Sequence, residues 1–483
     1  MLLTRDYSTI PFFILKSSLL FLCLMDHQLT GQLLLMQKYF SAYPTYGYEF
    51  RKKQLEKLKS AILKYEQELH DALFYDLKKS PEESWVTETG FLIAEISHAI
   101  KHLKSWMKPQ KVATNLLNWP SKSRIYKEPL GVVLIIGPWN YPLQLLIAPL
   151  IGAIAAGNCV VLKPSEFATA TSAIIKKIIG ECFANEYILL VEGDGAEIIP
   201  AMVNNFRFAH IFYTGSSEVG KKIYEMAARQ LVPVTLELGG KSPCIVDEHA
   251  NLEVAAKRIA LTKFSNAGQM CVAPDYLLVH ESIRERFTTL LIEKTRQFYS
   301  EEASSNYNYG KIINQKQYNR LMNYMKEGKI IYGGETLPES NYIAPTIITD
   351  VAVDSQMMEE EIFGPLLPII SFSSFEEAKA IIDRNPEPLA FYIFTGNKEK
   401  QERWLTKIPF GGGCVNNVSW HLTNFNLPFG GRGNSGIGAY HGKFSFEIFS
   451  HSKAVMKTPV WFDPSIKYPP YKGKLGLFKK VIR

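Results

Sequence analysis

The sequence predicts an α/β fold with two cores: a parallel sheet covered by helices on both faces, and a second α/β domain after it. Two observations carry this. Continuous apolar runs of strand length over 131–136, 159–162 and 210–213 alternate with helical stretches such as 143–156 and 218–229. A second alternating set extends from Pro243 to Thr395, including a strand over 367–372 followed by a helix over 375–385. The chain has 483 residues, enough for two or three cores.

In chain order, residues 1–36 form an extension. Its apolar stretch is broken by Lys16-Ser17-Ser18, too short to span a membrane, and no small-x-small cleavage site follows Met25. Met25 and Met36 are both candidate starts of the folded protein, so the extension reads as a start-site artefact ahead of a targeting signal, and residues before Met36 are expected to add little to the fold. From 37 to 106 the pattern is helical, with Leu55, Leu58, Ile62, Leu63 and Tyr65 on one amphipathic face. The β-branched run 232–235 should end in a strand terminus at Glu237. Helical periodicity over 252–264 should end at Gly268, in the left-handed conformation, and a strand is expected over 276–279.

Hydrophobic residues make up 46% of the chain and the formal net charge is only +7, with basic and acidic residues mixed. Such a composition excludes disorder and argues against a nucleic-acid footprint. Six cysteines (Cys23, Cys159, Cys182, Cys244, Cys271, Cys414) are widely spaced, without a Cys-x-x-Cys pair or a His cluster at ligand spacing. Neither a metal site nor a disulfide framework is expected, and a reducing, cytoplasmic setting fits.

Two segments point to chemistry. Cys271, at the end of Phe264-Ser265-Asn266-Ala267-Gly268-Gln269-Met270-Cys271, lies beyond a helix in a helix-to-strand connection. Glu237 precedes Gly239-Gly240 at a strand end. A thiolate adds readily to a carbonyl carbon, and a carboxylate in reach of the adduct activates the water that releases it. Taken singly, a thiol in apolar surroundings is more often an inert core residue. Cys159, Cys182 and Cys244 read that way.

A cofactor signal follows. Tyr213-Thr214-Gly215-Ser216-Ser217-Glu218-Val219-Gly220 leaves a strand and opens a helix, where backbone N–H groups approach a phosphate. An ordinary strand-to-helix turn is an equal reading, because the full Gly-x-Gly-x-x-Gly spacing is missing. Lys163 and Glu166 follow another strand end and suit ribose hydroxyls, or solvent. The acidic residue precedes the glycine turn in sequence, which departs from the ordinary dinucleotide fingerprint.

Together, Gly137-Pro138-Trp139-Asn140-Tyr141-Pro142, Lys163-Pro164-Ser165-Glu166, Phe212-Tyr213-Thr214-Gly215-Ser216, Glu237-Leu238-Gly239-Gly240-Lys241, Gln269-Met270-Cys271, Glu361-Ile362-Phe363-Gly364-Pro365 and Pro428-Phe429-Gly430-Gly431 resemble the aldehyde dehydrogenase superfamily. The likeness runs in order from about 37 to about 453. The stretch Tyr440-His441-Gly442-Lys443-Phe444-Ser445-Phe446 resembles its class 3 branch, whose members favour medium or long aliphatic and aromatic aldehydes.

This resemblance implies a Rossmann-like NAD(P)-binding domain over 37–236, a catalytic domain over 237–410, and a small β oligomerisation flap. The flap would draw on 118–127 and on a segment over 411–455; a basic tail occupies 456–483. It implies NAD, or NADP, as cofactor, an aldehyde as substrate, and a homodimer. Cys271 would form a thiohemiacetal whose oxyanion meets the Asn140 amide, and Glu237 would activate water against the thioester. Lys163 and Glu166 would hold the adenosine ribose, Gly215 and Ser216 the pyrophosphate, and Glu361 with Phe363 the nicotinamide side. Glu166 should favour NAD over NADP. Tyr141, Leu422 and Phe429 would line an apolar substrate tunnel. Bland readings stand beside these: Asn140 as a helix cap before Pro142, and Glu359-Glu360-Glu361 as a solvated acidic run. Rival functions are acyl transfer to coenzyme A and a catalytically silent homologue. The tail has no spanning stretch and should drape over the protein rather than touch an anionic membrane surface.

Overall fold

The computed structural model describes residues 28–482. A helix over 28–41 opens the described chain, with Leu33 and Met36 fully buried in the main core. The expected boundary at residue 36 is thus a correction: it falls inside a helix whose apolar side is covered. The start-site reading of residues 1–27, and Cys23 with it, lies outside the described residues.

Helices Tyr48–Lys64, Glu66–Leu77 and Gly90–Trp106 pack over the first sheet through its covering helices Gln144–Ala156 and Thr169–Cys182. That sheet has six strands, in spatial order Gly436–Ile437, Val234–Glu237, His210–Thr214, Val132–Ile136, Cys159–Lys163, Ile188–Leu190. All neighbours run parallel except the antiparallel edge Gly436–Ile437. Every residue of Val132–Ile136 is buried, as helices on both faces demand, which is why these strands read as unbroken apolar runs.

Strand order reverses between Val132–Ile136 and His210–Thr214, so their carboxyl ends diverge into a crevice, the usual ligand position of an open parallel sheet. The topology also explains the displaced fingerprint. Glu166 follows the sheet's second strand in chain order, where an acidic ribose ligand ordinarily sits. It is the glycine turn that has moved, to the fourth strand.

A second sheet of seven strands runs in the order Lys329–Tyr332, Thr346–Thr349, Leu366–Phe372, Tyr276–His280, Pro243–Val246, Ala390–Phe394, Gly412–Val415. Only the Lys329–Tyr332 edge is antiparallel. Its last strand lies beyond the boundary expected at 410. A third sheet is antiparallel and three-stranded, joining Gln110–Val112, Lys122–Pro129 and Ser450–Lys457. The segment from 411 thereby adds a strand to each of these three sheets, leaving only the two-stranded ribbon Thr336–Leu337 with Tyr342–Ile343 without one. Past it, Thr458 bonds Ser121 at 2.9 Å and Phe462 packs edge-on against Trp119, whereas Tyr468, Tyr471 and Leu475 are exposed. No described helix is long and apolar enough to cross a membrane.

Candidate active site

A cleft of about 630 Å³ opens where the carboxyl ends of the first sheet face the second domain. Asn140, Gly215, Ser216, Glu237, Cys271, Glu361 and Phe363 all line it. They arrive from five different strand ends or connections, so only the packing of the two sheets unites them.

The nucleophile loop is built by local strain. Helix Leu252–Phe264 starts at Asn251, whose side chain accepts the Val254 N–H at 3.1 Å. It ends at Phe264, four residues before Gly268, and then Asn266 (φ 49°), Ala267 (φ 51°) and Gly268 (φ 73°) are all left-handed. Two such non-glycine residues cost about 1–3 kcal/mol each and persist only where packing fixes them. Gln269 supplies that fixing: its amide donates to Lys311 O at 2.9 Å and accepts from Ile313 N–H at 3.0 Å. At Gly268 a Cβ would overlap the Gly364 carbonyl, so no other residue allows this approach.

The surroundings do not lower the Cys271 pKa. Burial raises it first, and the neighbouring Glu361 and Glu237 carboxylates raise it further. These groups keep the thiol protonated, so a thiolate requires a base to take the proton. Glu237 is 3% exposed, and neither carboxylate oxygen meets a donor among the described residues. Desolvation pushes its pKa well above the usual carboxylate range. Its backbone is clamped instead, with Glu237 O accepting Gly215 N–H at 3.0 Å and the strand paired to Gly436–Ile437.

Asn140 is buried and its side-chain amide donates to Gln269 O at 3.1 Å, leaving the second N–H of the same nitrogen for the cleft. It caps no helix. The next helix begins at Gln144, and its first N–H groups, from Leu143 and Gln144, are taken by Glu88 Oε2 at 3.0 and 3.1 Å.

Glu361 is half-buried on the cleft wall, whereas Glu359 and Glu360 are exposed. The Glu361 pKa rises to about 8, by burial and then by the Asp275 charge, with Arg320 and Lys241 opposing. Arg320 donates to the carbonyls of Glu361 (3.0 Å) and Ile362 (2.7 Å), and Asp275 accepts the Ile362 N–H at 3.0 Å, so the segment is gripped from two sides. Phe363 packs edge-on against Trp139 across the cleft, with ring centroids 5.2 Å apart.

Lys163 and Glu166 do not line that cleft but pair with each other at 2.5 Å, and Glu166 also accepts Gly195 N–H at 3.3 Å. The Lys163 ammonium is almost fully buried while Glu166 is one-third exposed. The residues fit a dinucleotide. Ser216 caps the helix Ser217–Ala228 through Val219 N–H at 3.4 Å, and Ser217 and Glu218, in the first turn at the helix's positive end, line the cleft. Gly239 leaves the space into which the Glu361 carboxylate fits.

Tyr141, Leu422 and Phe429 lie outside the cleft lining. Phe429 stacks on His441 at 5.2 Å, and His441 Nδ1 bonds Leu422 O at 3.1 Å, which brings these two together; Tyr141 sits apart, beneath Lys79. A charge on Cys271 would raise the phenol pKa of both Tyr141 and Tyr440, so both rings are near the thiol. Lys79, Glu88, Asn266, Arg320 and Tyr440 escaped sequence reasoning. None sits in a spacing that signals chemistry, although Asn266 and Tyr440 fall within quoted motifs. Asp247, Glu248 and His249 offer ligand-type atoms within 4.8 Å of one another, but Lys400 already pairs with both carboxylates.

Residues 35–455 match the family model described as the aldehyde dehydrogenase family. This chain belongs to the aldehyde dehydrogenase family. It is 45% identical over 447 residues to 4,4'-diaponeurosporen-aldehyde dehydrogenase of Staphylococcus aureus, covering 92% of this chain and 97% of that protein. To aldehyde dehydrogenase family 3 member H1 of Arabidopsis thaliana it is 44% identical over 453 residues, covering 92% and 93%. The solved structure of the substrate-bound state of Staphylococcus aureus AldH superposes with a TM-score of 0.92 at 44% identity, covering 94% of this chain and 99% of that one. The aldehyde dehydrogenase described here is thus a class 3-like, NAD(P)-dependent enzyme of the non-acylating type, acting on an aldehyde. Its two α/β domains with a small β sheet are the fold of that family.

Proposed function

We propose that this enzyme oxidises medium or long aliphatic, or aromatic, aldehydes to carboxylic acids through Cys271. One observation carries the reading: Cys271, Asn140 and Glu237, from three separate elements, line one cleft. Cys271 gives its proton up to water in the open cleft, and Glu237, whose oxygens are unengaged and whose pKa is raised, is kept as the base for hydrolysis. The sulfur adds to the carbonyl carbon, and the oxyanion meets the free Asn140 N–H and the Cys271 backbone N–H. The bound NAD(P) supplies the hydride acceptor. Loss of hydride leaves a thioester on Cys271. Glu237 then takes a proton from water as its oxygen attacks the acyl carbon, and collapse of the adduct releases the acid and the Cys271 sulfur, which regains a proton from Glu237.

For the cofactor, Lys163 and Glu166 hold the adenosine ribose, Gly215 and Ser216 the pyrophosphate, and Glu361 with Phe363 the nicotinamide side. Glu166 disfavours a 2′-phosphate and so favours NAD. Phe429 with Leu422, and Tyr141 separately beside Cys271, receive the aldehyde's tail. The three-stranded sheet, exposed on Ser450–Lys457, serves a homodimer. Five free thiols among the described residues suit the reducing cytosol.

Glu237→Gln tests the two-step chemistry. Rapid mixing should give a burst approaching one reduced cofactor per site, then turnover at least ~100-fold below wild type, with the acyl group on Cys271 by mass. Wild-type turnover would remove Glu237 as the base; loss of the burst as well would place its need before hydride transfer.

A further inference from the structure

The turn that carries Asn140 is held from behind by charge. Lys79, fully buried, donates to Glu88 Oε1 at 2.6 Å and to the Asn140 carbonyl at 3.1 Å, and its ammonium lies 3.7 Å from the Tyr141 ring centroid. Glu88, equally buried, spends its other oxygen on the N–H groups of Leu143 and Gln144. One ion pair therefore bonds the chain before Tyr141 and again after Pro142, fixing both ends of the turn that aims the Asn140 amide.

The same stretch also grips the nucleophile. Glu83 Oε1 accepts the backbone N–H of Asn266 at 2.8 Å, and Asn266 Nδ2 reaches both the Asn140 carbonyl (2.8 Å) and the Gln269 carbonyl (3.2 Å). Glu88 itself sits on a single π-helical turn, Trp85–Thr89, inserted between the short helix Pro81–Ser84 and the helix Gly90–Trp106. Such turns are uncommon and rotate the side chains after them, which here lets Glu88 face Lys79 and the helix start together.

A buried ion pair is a poor source of stability, because desolvating two charges offsets most of their attraction. Its worth lies in geometry. An oxyanion donor contributes only when aimed at where charge will develop, and errors of about 1 Å at such a site can cost roughly 100-fold.

We propose that Lys79 and Glu88 are positioning residues for the oxyanion donor, acting through the Asn140 carbonyl and the Leu143 and Gln144 N–H groups. The proposal rests on the reading of Asn140 as that donor. Its test is a double-mutant cycle on the full chain, read by the burst rate of cofactor reduction. Because Lys79→Met alone strands a buried carboxylate, the paired change Lys79→Met/Glu88→Gln is also made; it removes both charges and keeps an acceptor for Leu143 and Gln144.

The paired variant should retain cofactor affinity and hold KM for the aldehyde within ~3-fold, while the burst rate falls ~10–100-fold. In an Asn140→Ala background, itself ~100-fold or more impaired, the same pair of changes should cost less than ~3-fold. A wild-type burst rate in the paired variant would overturn the proposal, as would an undiminished cost when Asn140 is already alanine. If Asn140→Ala alone kept the wild-type burst, the oxyanion role would fall instead, which separates the two failures.

Discussion

The carboxylate of Glu361 occupies the place where a side chain on Gly239 would stand, since a Cβ there would overlap it. The turn after strand Val234–Glu237 and the segment carrying Glu361 thus interlock through a missing side chain. Gly239→Ala should push Glu361 out of its seat, raise KM for the cofactor ~10-fold or more, and shift the Cys271 alkylation curve to lower pH. Steady-state kinetics beside thiol labelling check this, and an unaltered cofactor KM would uncouple the two residues.

Glu361 titrates near the working range, with its pKa pushed up to about 8. Below that pH it is protonated; above it the ionised carboxylate is the stronger acceptor for ribose hydroxyls. Cofactor affinity measured without aldehyde should therefore tighten as pH rises through about 8. Glu361→Gln should flatten the profile, and a slope that survives this change would assign the titration elsewhere.

Burial and two carboxylates raise the Cys271 pKa, so in the protein alone little thiolate exists at neutral pH. Its alkylation rate should keep climbing past pH ~9, beyond the midpoint of a free thiol at about 8.5. Glu237→Gln removes one of the raising charges and should shift the curve to lower pH. A rate already level at pH 7 would mean that Cys271 is ionised there.

Glu166 is held by Lys163 and by the Gly195 N–H. Glu166→Gln weakens that pairing and removes the charge that a 2′-phosphate would meet. The ratio of kcat/KM for NAD over NADP should fall ~10-fold, and a constant ratio would place the ribose away from Glu166.

Leu33, fully buried on the helix over 28–41, belongs to the fold. Leu33→Ala should destabilise by about 2–4 kcal/mol in equilibrium unfolding, the usual cost of emptying a buried leucine site. A change under ~0.5 kcal/mol would return residues 28–36 to the status of a dispensable extension.

Strand and helix positions were legible in the sequence because their causes are local. Unbroken apolar runs such as 132–136 arise only where both faces of a strand are covered, and the helix over 252–264 shows its period directly. Cys271, Glu237, Asn140 and Glu361 were legible as types in motifs. Other features were not, because their causes span large sequence separations. Lys79 and Asn140 are 61 residues apart and meet only through packing. Glu88 takes the helix start that Asn140 seemed placed to cap. Only the packed structure sets Cys271 beside the Glu361 and Glu237 carboxylates, which raise its pKa. Which groups are available for chemistry follows from the chain alone. Their protonation and aim come from the packed fold, since desolvation and Coulomb fields depend on distances that no linear spacing records.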